Sequence, residues 1–486
     1  MLDLATPTAA IPEPRRYPLL GNIPELDTEA FIQSLMDVAR ELGPIFRLTT
    51  PAGSSLFVSS RELAADACDE QRFDKHVHGA LENIRDFTGD GLFTARTGEA
   101  NWGKAHRLLL PAFGPLAMHG YFDDMLDIAD QMLAKWERLG PDAPIDVPDN
   151  MTRLTLDTIA LCGFGYRFNS FYQREMHPFV EAMVRALHEA GARNTRLSVQ
   201  NWLMPWTRKQ YKGDIALMHG ITDELIAQRR AGEPADARRD LLGLMLSAAD
   251  PLTGERLDDA NIRHQLVTFL IAGHETTSGL LSFALYLLLN NPQALARASA
   301  QVDEVLGDRM PRFEDLARLG YVEQILRETL RLYPTAPAFA VAAKRDTMLG
   351  RRYPLKQGDA VFILTPMLHR DPAVWADPER FDPGRFDPAN EAAIPAHAWL
   401  PFGNGQRSCI GRAFALQEAT LVLAMLLQRF EISAPGGYEL RIKETLTLKP
   451  EGFAIQARAR RQIRRGAAPE PVRAPEPQPA AASHGA

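Results

Sequence analysis

One cysteine in a glycine-rich loop constrains this chain more than any other feature. Cys409 lies in the stretch 402–411, FGNGQRSCIG, and an apolar helix is predicted to begin near Arg412. Glycines let the backbone curl around the sulfur and aim N–H groups at it, while the helix dipole and Arg407 favour the thiolate over the thiol. A lone cysteine is more often a small buried residue in a turn. A soft anionic sulfur held in this way, however, suits iron.

Composition excludes several classes of protein. The 486 residues are 45% hydrophobic and 24% charged, which is enough apolar material for a large core. The formal net charge is -7, whereas binding to nucleic acid needs a basic footprint. Three widely spaced cysteines argue against a disulfide framework, so a reducing compartment such as the cytoplasm is expected. The first residues lack the basic start and apolar run of a signal or membrane anchor.

The longest apolar segment runs from Leu266 to Leu289 and is interrupted by the polar stretch 273–278, GHETTS. Neither flank reaches the length of about 20 residues that a bilayer requires, so a buried central helix is predicted from near Asp258 to near Asn290. Other helices are predicted from periodicity at 31–42, 121–139, 151–162, 177–190, 214–230 and 293–306. Hairpins are predicted at 45–50 with 55–59 and at 444–448 with 452–459. The fold class is therefore mainly α with small β-sheets.

No stretch rich in Pro, Gly or Ser divides residues 20–460, so one large helical domain with a small β portion is predicted there. Residues 1–19 form an N-terminal arm. Residues 461–486 are rich in Pro and Ala and carry little apolar bulk, so they cannot bury enough surface to order themselves. They are either a disordered tail or a semi-rigid linker to a domain outside this chain.

The cysteine loop resembles the haem-binding loop of the cytochrome P450 superfamily at every fixed position, F-x-x-G-x-R-x-C-x-G. The resemblance implies the cytochrome P450 fold and bound haem b, with Cys409 as the axial ligand of the iron. It places Phe402 and Gly411 beside that ligand. The residues that it implies for the haem propionates are Arg407, Trp102 and His106, with Lys75 as a weaker candidate.

A second pair of motifs resembles the same family. Glu328 and Arg331 lie three residues apart on one face of a predicted helix. The stretch 381–386, FDPGRF, resembles the arginine-bearing meander of the family, although Gly384 stands where glutamate is commoner. The resemblance implies a structural triad of Glu328, Arg331 and Arg385 that supports the core beneath the haem.

The interruption of the central helix resembles the oxygen-binding segment of the family. The resemblance implies that Ala272 and Gly273 make room over the iron while Glu275 and Thr276 deliver protons. Thr276 would lie nearer the iron, with Glu275 feeding a water relay. A helical threonine hydroxyl also bonds back to the carbonyl four residues earlier, and both roles are compatible. His274 is given no catalytic role, because a histidine on an apolar helix is more often a core residue than a ligand.

Longer stretches, at 87–94, 153–158, 167–172, 334–339 and 444–450, resemble the self-sufficient bacterial fatty-acid hydroxylases. In those enzymes a linker joins the haem domain to a diflavin reductase, which favours the linker interpretation of residues 461–486. The likeness implies hydroxylation of medium and long acyl chains by O2 near the methyl end, with electrons from NADPH through FAD and FMN. The apolar substrate tunnel that it implies is lined by Phe93, Leu81, Thr88, Ala338, Ala272 and Leu446.

One departure bears on the substrate. Close relatives hold the fatty-acid carboxylate with an arginine and a tyrosine on the first hairpin, and the matching positions here are Gly53 and Phe57. Loss of an exposed charged contact costs roughly 1 kcal/mol, so we expect uncharged ligands to compete better with fatty acids. The alternatives are a stand-alone monooxygenase of uncharged hydrophobic molecules with separate redox partners, and a haem-binding sensor or carrier. The pair Glu275 and Thr276 argues against the sensor or carrier, which needs no proton relay.

Overall fold

Helices form most of the structure, a computed structural model that describes residues 10–51, 53–193, 196, 200–201, 203–232 and 240–460. The predicted helix 31–42 is confirmed with the same bounds, and the other predicted helices are confirmed with shifted ends. The helices are α1 (Phe31–Leu42), α2 (Arg61–Ala67), α3 (Gly79–Thr88), α4 (Ala100–Leu109), α5 (Pro115–Leu139), α6 (Val147–Phe164), α7 (Pro178–Arg193), α8 (Pro205–Gly232), α9 (Leu241–Ser247), α10 (Asp259–Asn290), α11 (Pro292–Leu306), α12 (Gly320–Leu332), α13 (Thr365–Leu368), α14 (Pro388–Glu391) and α15 (Arg412–Arg429).

The predicted central helix is α10. It begins at a side-chain cap, where Asp258 accepts a hydrogen bond from the N–H of Asn261 at 2.7 Å. Its neighbour α6 lies close, because a Cβ atom on Gly273 would stand only 2.9 Å from Ile159 Cγ1. Gly273 therefore allows the close approach of α6. Among the described residues, no helix is both long and apolar enough to cross a membrane.

The main sheet has five strands in the order β1-β2-β8-β5-β3. The first predicted hairpin is confirmed, since β1 and β2 pair antiparallel from Ile45 opposite Val58 to Thr50 opposite Gly53. Three smaller sheets have the orders β10-β11, β4-β12-β9 and β6-β7. The strands are β1 (Ile45–Thr50), β2 (Gly53–Val58), β3 (Phe73–Lys75), β4 (Ile145–Asp146), β5 (Ala338–Ala343), β6 (Thr347–Leu349), β7 (Tyr353–Leu355), β8 (Ala360–Leu364), β9 (Phe430–Ser433), β10 (Ile442–Glu444), β11 (Leu448–Pro450) and β12 (Ala454–Ala459).

The second predicted hairpin is wrong. Its supposed turn at 449–451 overlaps β11, which pairs with β10 through Glu444 opposite Leu448 and Ile442 opposite Pro450. The tight turn lies four residues earlier, at 445–447, where the N–H of Thr445 donates to the carbonyl oxygen of Thr447 at 3.0 Å. Proline is tolerated here because β11 is an edge strand.

The last described strand, β12, lies in the middle of its sheet. Ile455 stands opposite Ile145 of β4, and Ala457 stands opposite Ile432 of β9. Just beyond it, Arg460 Nη2 forms an ion pair with Asp303 Oδ2 of α11 at 2.8 Å. The chain is thus held at residue 460. Residues 1–9 of the predicted N-terminal arm and the predicted linker 461–486 lie outside the described residues.

Candidate active site

The cysteine loop has the closed geometry that its glycines predict. The N–H of Cys409 donates to the carbonyl oxygen of Phe402 at 2.8 Å, which closes the loop on itself. Gly403 and Gly405 have φ angles of 72° and 62°, a conformation that side chains other than glycine rarely adopt. Helix α15 begins at Arg412, as predicted.

A carboxylate from outside the loop fixes its outer edge, and sequence reasoning missed it. Glu70 Oε1 accepts a hydrogen bond from the N–H of Gln406 at 2.7 Å. A Cβ atom on Gly405 would lie 2.2 Å from the same oxygen, so the glycine is needed for this approach. Asn404 Nδ2 donates to the carbonyl oxygen of Cys68 at 3.1 Å. No local sequence pattern indicates these contacts, because they join segments 336 residues apart.

The environment of the sulfur corrects one expectation. The side chain of Cys409 is accessible, yet protein atoms surround it closely enough for burial to raise the pKa of its thiol. The N–H of Gly411 and the charge of Arg412 act against that rise. The role predicted for Arg407 in favouring the thiolate is wrong, since its guanidinium hydrogen-bonds elsewhere. Coordination to a metal ion deprotonates a thiol outright, so bound iron would favour the Cys409 thiolate where the protein environment does not.

The four predicted propionate partners lie together. The guanidinium of Arg407 stands 4.6 Å from the centre of the Trp102 ring, and that ring stacks on His106 at 5.2 Å. Lys75 Nζ lies 4.7 Å from the ring centre of Phe93 and donates to the carbonyl oxygen of Phe93. The cation cluster is defined here as Lys75, Arg407, Trp102 and His106.

The two cations of the cation cluster are largely buried, and the acidic groups near them among the described residues act only from beyond ion-pair distance. Burial lowers the pKa of Lys75 to about 7, and the charge of Arg407 adds to the effect. Burial also lowers the pKa of Arg407 to about 10, although the charges of Asp74 and Glu99 oppose this. Within the described ranges, neither cation has an acidic side chain at ion-pair distance, since Glu99 pairs with Arg85 and Asp74 accepts from the hydroxyl of Thr97. Buried charge without a partner is costly, so this cluster fits an anionic group such as a pair of carboxylates.

The loop and the central helix face the same region. The ring of Phe113 stacks on Phe269 of α10 with centroids 5.9 Å apart, and its Cε1 atom lies 3.9 Å from the position of a Cβ atom on Gly411. Ala272 is exposed in the middle of an otherwise buried helix, as is the side chain of Cys409 in its loop. An accessible sulfur beside uncompensated buried cations fits a metal-bearing cofactor with acidic substituents, which is the chemistry of haem.

Local hydrogen bonds explain the polar residues of α10. The hydroxyl of Thr276 donates to the carbonyl oxygen of Ala272 at 2.9 Å, which confirms the bond back to the preceding turn. His274 is fully buried, with Nδ1 at 2.6 Å from the carbonyl oxygen of Leu270, which confirms that it is a core residue. The hydroxyl of Thr155 in α6 donates to the carbonyl oxygen of His274 at 2.8 Å. A hydroxyl group of α6 thus donates a hydrogen bond to a backbone carbonyl oxygen of α10 within the polar stretch.

Glu275 is an ionised carboxylate held by the turn between β10 and β11. Its Oε2 accepts from the hydroxyls of Thr447 at 2.8 Å and Thr445 at 3.2 Å, and its Oε1 lies 3.4 Å from Lys449 Nζ. Burial opposes ionisation, but Lys449, His274 and the Thr447 hydroxyl outweigh it and hold the pKa of Glu275 at about 2. Sequence reasoning missed these partners, which lie about 170 residues away.

The predicted triad assembles around one carboxylate. Arg331 donates to Glu328 through Nε at 2.7 Å and through Nη2 at 2.8 Å, and both side chains are fully buried. Arg385 Nε lies 3.4 Å from Glu328 Oε1. Arg331 Nη1 also donates to the carbonyl oxygen of Pro378, three residues before the meander, at 2.6 Å. The three side chains therefore form one buried contact group, and their role in supporting a haem stays a prediction.

The predicted tunnel residues come from separate elements. Leu81 and Thr88 are buried on α3, and the Thr88 hydroxyl donates to the carbonyl oxygen of Ile84 at 3.0 Å. Ala338 is half-buried at the start of β5, and Leu446 is half-buried in the turn between β10 and β11. A separate surface cleft of about 350 Å³ lies at the end of α10, lined in part by Tyr286, Tyr438 and Phe453, and contains none of the predicted site residues.

The first hairpin carries no polar anchor at the two positions that the sequence indicated. Phe57 is buried in a stack of rings, 5.3 Å from Phe46 and 4.9 Å from Phe362. Gly53 is exposed at the hairpin turn. Phe57 therefore contributes packing between strands.

This fold and this thiolate loop define a class of haem-binding oxidoreductases. A family model described as Cytochrome P450 matches residues 11–457, so the chain belongs to the cytochrome P450 family, and the predicted fold class is confirmed. Domains of this family bind haem, and the cysteine loop and cation cluster are the residues that would hold it.

Three proteins with similar sequences belong to the same family and are longer than this chain. The chain is 54% identical over 454 residues to the bifunctional cytochrome P450/NADPH–P450 reductase 2 of Bacillus subtilis (strain 168), an alignment covering 93% of this chain and 43% of that protein. It is 51% identical over 456 residues to a bifunctional cytochrome P450/NADPH–P450 reductase of Bacillus cereus, covering 93% and 42%. It is 47% identical over 465 residues to a self-sufficient cytochrome P450 monooxygenase of Exserohilum turcicum, covering 95% and 43%. The chain thus spans less than half the length of these relatives.

Proposed function

We propose that residues 20–460 are the haem-thiolate domain of a monooxygenase that hydroxylates medium and long acyl chains near the methyl end. The observation that carries the proposal is the accessible sulfur of Cys409 beside the uncompensated cations of the cation cluster. When bound, haem supplies the activation of O2 for insertion of one oxygen atom into a C–H bond. Electrons would come from NADPH through the FAD and FMN of a reductase joined beyond residues 461–486, as the names of the bifunctional relatives support.

The residues of this chain divide the work. Cys409 would hold the iron, with Phe402 and Gly411 at its sides, and the cation cluster would bind the two propionates. Ala272 leaves space on the central helix, since its methyl group is exposed there. Phe93, Leu81, Thr88, Ala338 and Leu446 would form the apolar walls of the substrate tunnel.

The proton supply would pass through Glu275 and Thr276. Glu275 is ionised, and the hydroxyls of Thr445 and Thr447 bind its Oε2, which would hold the carboxylate in place to orient a water relay to Thr276. Lys449 is partly accessible and contacts Glu275 at Oε1, which connects the carboxylate to the outside. The Thr276 hydroxyl would pass a proton on by turning away from the Ala272 carbonyl. A cytoplasmic enzyme fits the three cysteines, none of which forms a disulfide bond.

The test is product analysis with a diflavin reductase and NADPH. Dodecanoic acid and dodecan-1-ol are offered separately to the haem-loaded chain, and the position of the new hydroxyl group is determined by mass spectrometry. Subterminal hydroxylation of either compound, with turnover of the alcohol comparable to turnover of the acid, supports the proposal. If the reduced protein with carbon monoxide shows the red-shifted band of a thiolate-bound haem but forms no oxygenated product, the proposal is contradicted. A strong preference for the acid would contradict the expected effect of Gly53 and Phe57.

A further inference from the structure

Two histidines beside the main sheet have ring nitrogens that the protein does not use. His76 and His78 follow β3, and their rings lie 6.3 Å apart at an angle of 27°. His78 occupies the N-cap position of α3 but forms no side-chain cap bond. Within the part of the chain that the structure describes, no hydrogen bond reaches either ring. The backbone N–H of His76 donates to the carbonyl oxygen of Ala340 at 2.9 Å. The histidine pair is defined here as His76 and His78.

The strand register puts the histidine pair on the sheet face that carries Ala338. Both rings meet Phe362, with centroid distances of 4.9 Å for His78 and 6.5 Å for His76. Phe362 stands opposite Ala340 of β5, and residues opposite each other share a face of a sheet. Ala338 lies two residues from Ala340 and therefore on the same face. The pair thus borders the side of the sheet that faces the proposed tunnel.

Neighbouring side chains do not satisfy the pair. Successive residues of an extended segment alternate in direction, so Lys75 points away to the cation cluster while His76 points to Phe362. The other charged groups near His76 are Glu82 and Arg96, which form an ion pair with each other. Burial lowers the pKa of both imidazoles, that of His78 to about 4, with the charges of His76 and Lys75 adding to the effect on His78. Both rings are therefore neutral near pH 7.

We propose that His76 and His78 bind the uncharged head group of an acyl-chain substrate, of which a primary alcohol is the simplest case. A neutral imidazole offers one donor and one acceptor nitrogen, and a hydroxyl group needs both, whereas a carboxylate only accepts. A carboxylate also requires a cation for strong binding, and the first hairpin offers none at Gly53 or Phe57. This inference rests on the proposed function, and it supplies the group that would select alcohols over acids.

The experiment titrates the haem-loaded chain with dodecan-1-ol, dodecanoic acid and dodecane, following the shift of the haem absorption band that accompanies substrate binding. The double variant His76→Phe/His78→Phe keeps the ring contacts with Phe362 and removes the nitrogens. Its alcohol dissociation constant should rise about tenfold, the size expected for one or two hydrogen bonds between neutral groups. The dissociation constant of dodecane should stay within about twofold, because it has no head group to lose.

A matched control is His119→Phe on α5, where the histidine ring already packs on Phe313 at 4.6 Å. This variant should bind all three compounds as the unchanged protein does. If the double variant fails to give a carbon monoxide band, the single variants His76→Phe and His78→Phe replace it. His76→Gln and His78→Gln, which keep donor and acceptor groups, should recover part of the alcohol affinity.

Equal weakening of alcohol and alkane, or no change in the alcohol, would overturn the proposal. Stoichiometric binding of zinc ions to the histidine pair, with unchanged alcohol affinity in the double variant, would also overturn it and identify a metal site instead. If the unchanged protein binds none of the three compounds, the proposed acyl-chain function falls as well. If the unchanged protein binds all three compounds and the ratios of their dissociation constants are the same in the variants, only the role of the histidine pair is removed.

Discussion

Arg331 and Arg407 are both arginines held largely away from solvent, but only one has an acidic partner at ion-pair distance in the described chain. Arg331 forms two hydrogen bonds to Glu328, and the carbonyl oxygen of Pro378 is a further acceptor. Arg407 bonds to neutral acceptors, namely the Thr97 hydroxyl and the backbone carbonyl oxygens of Leu92 and Ala95. A balanced group of buried charges indicates structural support, whereas an unbalanced one indicates where an external anion belongs.

The largest expected effect tests the site that the unbalanced group surrounds. Cys409→Ser should abolish the strongly red-shifted band of the reduced carbon monoxide complex and reduce hydroxylation below detection, because a serine oxygen does not replace a thiolate ligand. Difference spectroscopy provides the measurement. Cys68→Ala is the control, since only the backbone of Cys68 contacts the loop. A band that survived in Cys409→Ser would place the iron ligand elsewhere.

The balanced group is tested by removing its carboxylate charge. Glu328→Gln should lower the free energy of unfolding by about 3–5 kcal/mol, because it leaves buried guanidinium groups without a counter-charge. Urea unfolding of the haem-loaded protein measures this. Asp346→Asn, which breaks an exposed pair with Lys356, should lower the free energy of unfolding far less, because solvent screens that pair. Similar values for the two variants would show that burial does not set the strength of the triad.

Removing the charge of Arg407, which has no acidic partner at ion-pair distance in the described chain, should affect haem binding. Arg407→Met should weaken haem binding by about tenfold, since a charge-assisted bond to a propionate is lost. The rate of haem loss to an excess of a haem-scavenging protein reports the change. Arg40→Met, in an exposed pair on α1, should leave that rate unchanged. An unaltered rate in Arg407→Met would mean that its cation is not a propionate partner.

The smallest expected effect is a pH dependence of the haem-free protein. The pKa of Lys75 in the folded state is about 7, below its ordinary value of 10.5, so the unfolded state binds more protons between these values. Stability should therefore rise with pH from about 7 to 10.5 through this group. The Lys75→Met variant should lack this part of the rise, and a propionate beside Lys75 should suppress it in the haem-loaded protein. Unfolding curves at several pH values provide the comparison, and identical slopes with and without Lys75 would contradict it.

Local patterns predicted much of the fold. The apolar run and its flanking Asp258 gave the central helix, and the first hairpin was found because its strands are adjacent in sequence. The second hairpin was wrong because β12 pairs with β9, whose residues lie more than 20 positions earlier, and no local pattern reports such a partner. The predicted turn contains Pro450, yet an edge strand accepts a proline.

The site was predicted to the extent that motifs carried it. Arg407, Trp102 and His106 lie in contact with one another, and so do the three residues of the triad, but the roles of these residues and of Cys409 stay predictions. The carboxylate of Glu70 and the hydroxyl of Thr447 escaped notice because a single acidic or hydroxyl residue has no periodic signature. The direction of Arg407 was wrong for a related reason, since proximity in sequence to Cys409 does not decide which way a long side chain turns.

The central place of β12 has a mechanical consequence. A domain attached beyond residue 460 would pull on the chain at Arg460, which is tied to Asp303 and to the carbonyl oxygen of Leu427. Tension along β12 would load its hydrogen bonds to β4 and β9 together, in shear, instead of peeling them one after another. Because Asp303 lies in α11 and Leu427 lies in α15, part of this tension would pass to those two helices and the three-stranded sheet would carry the rest.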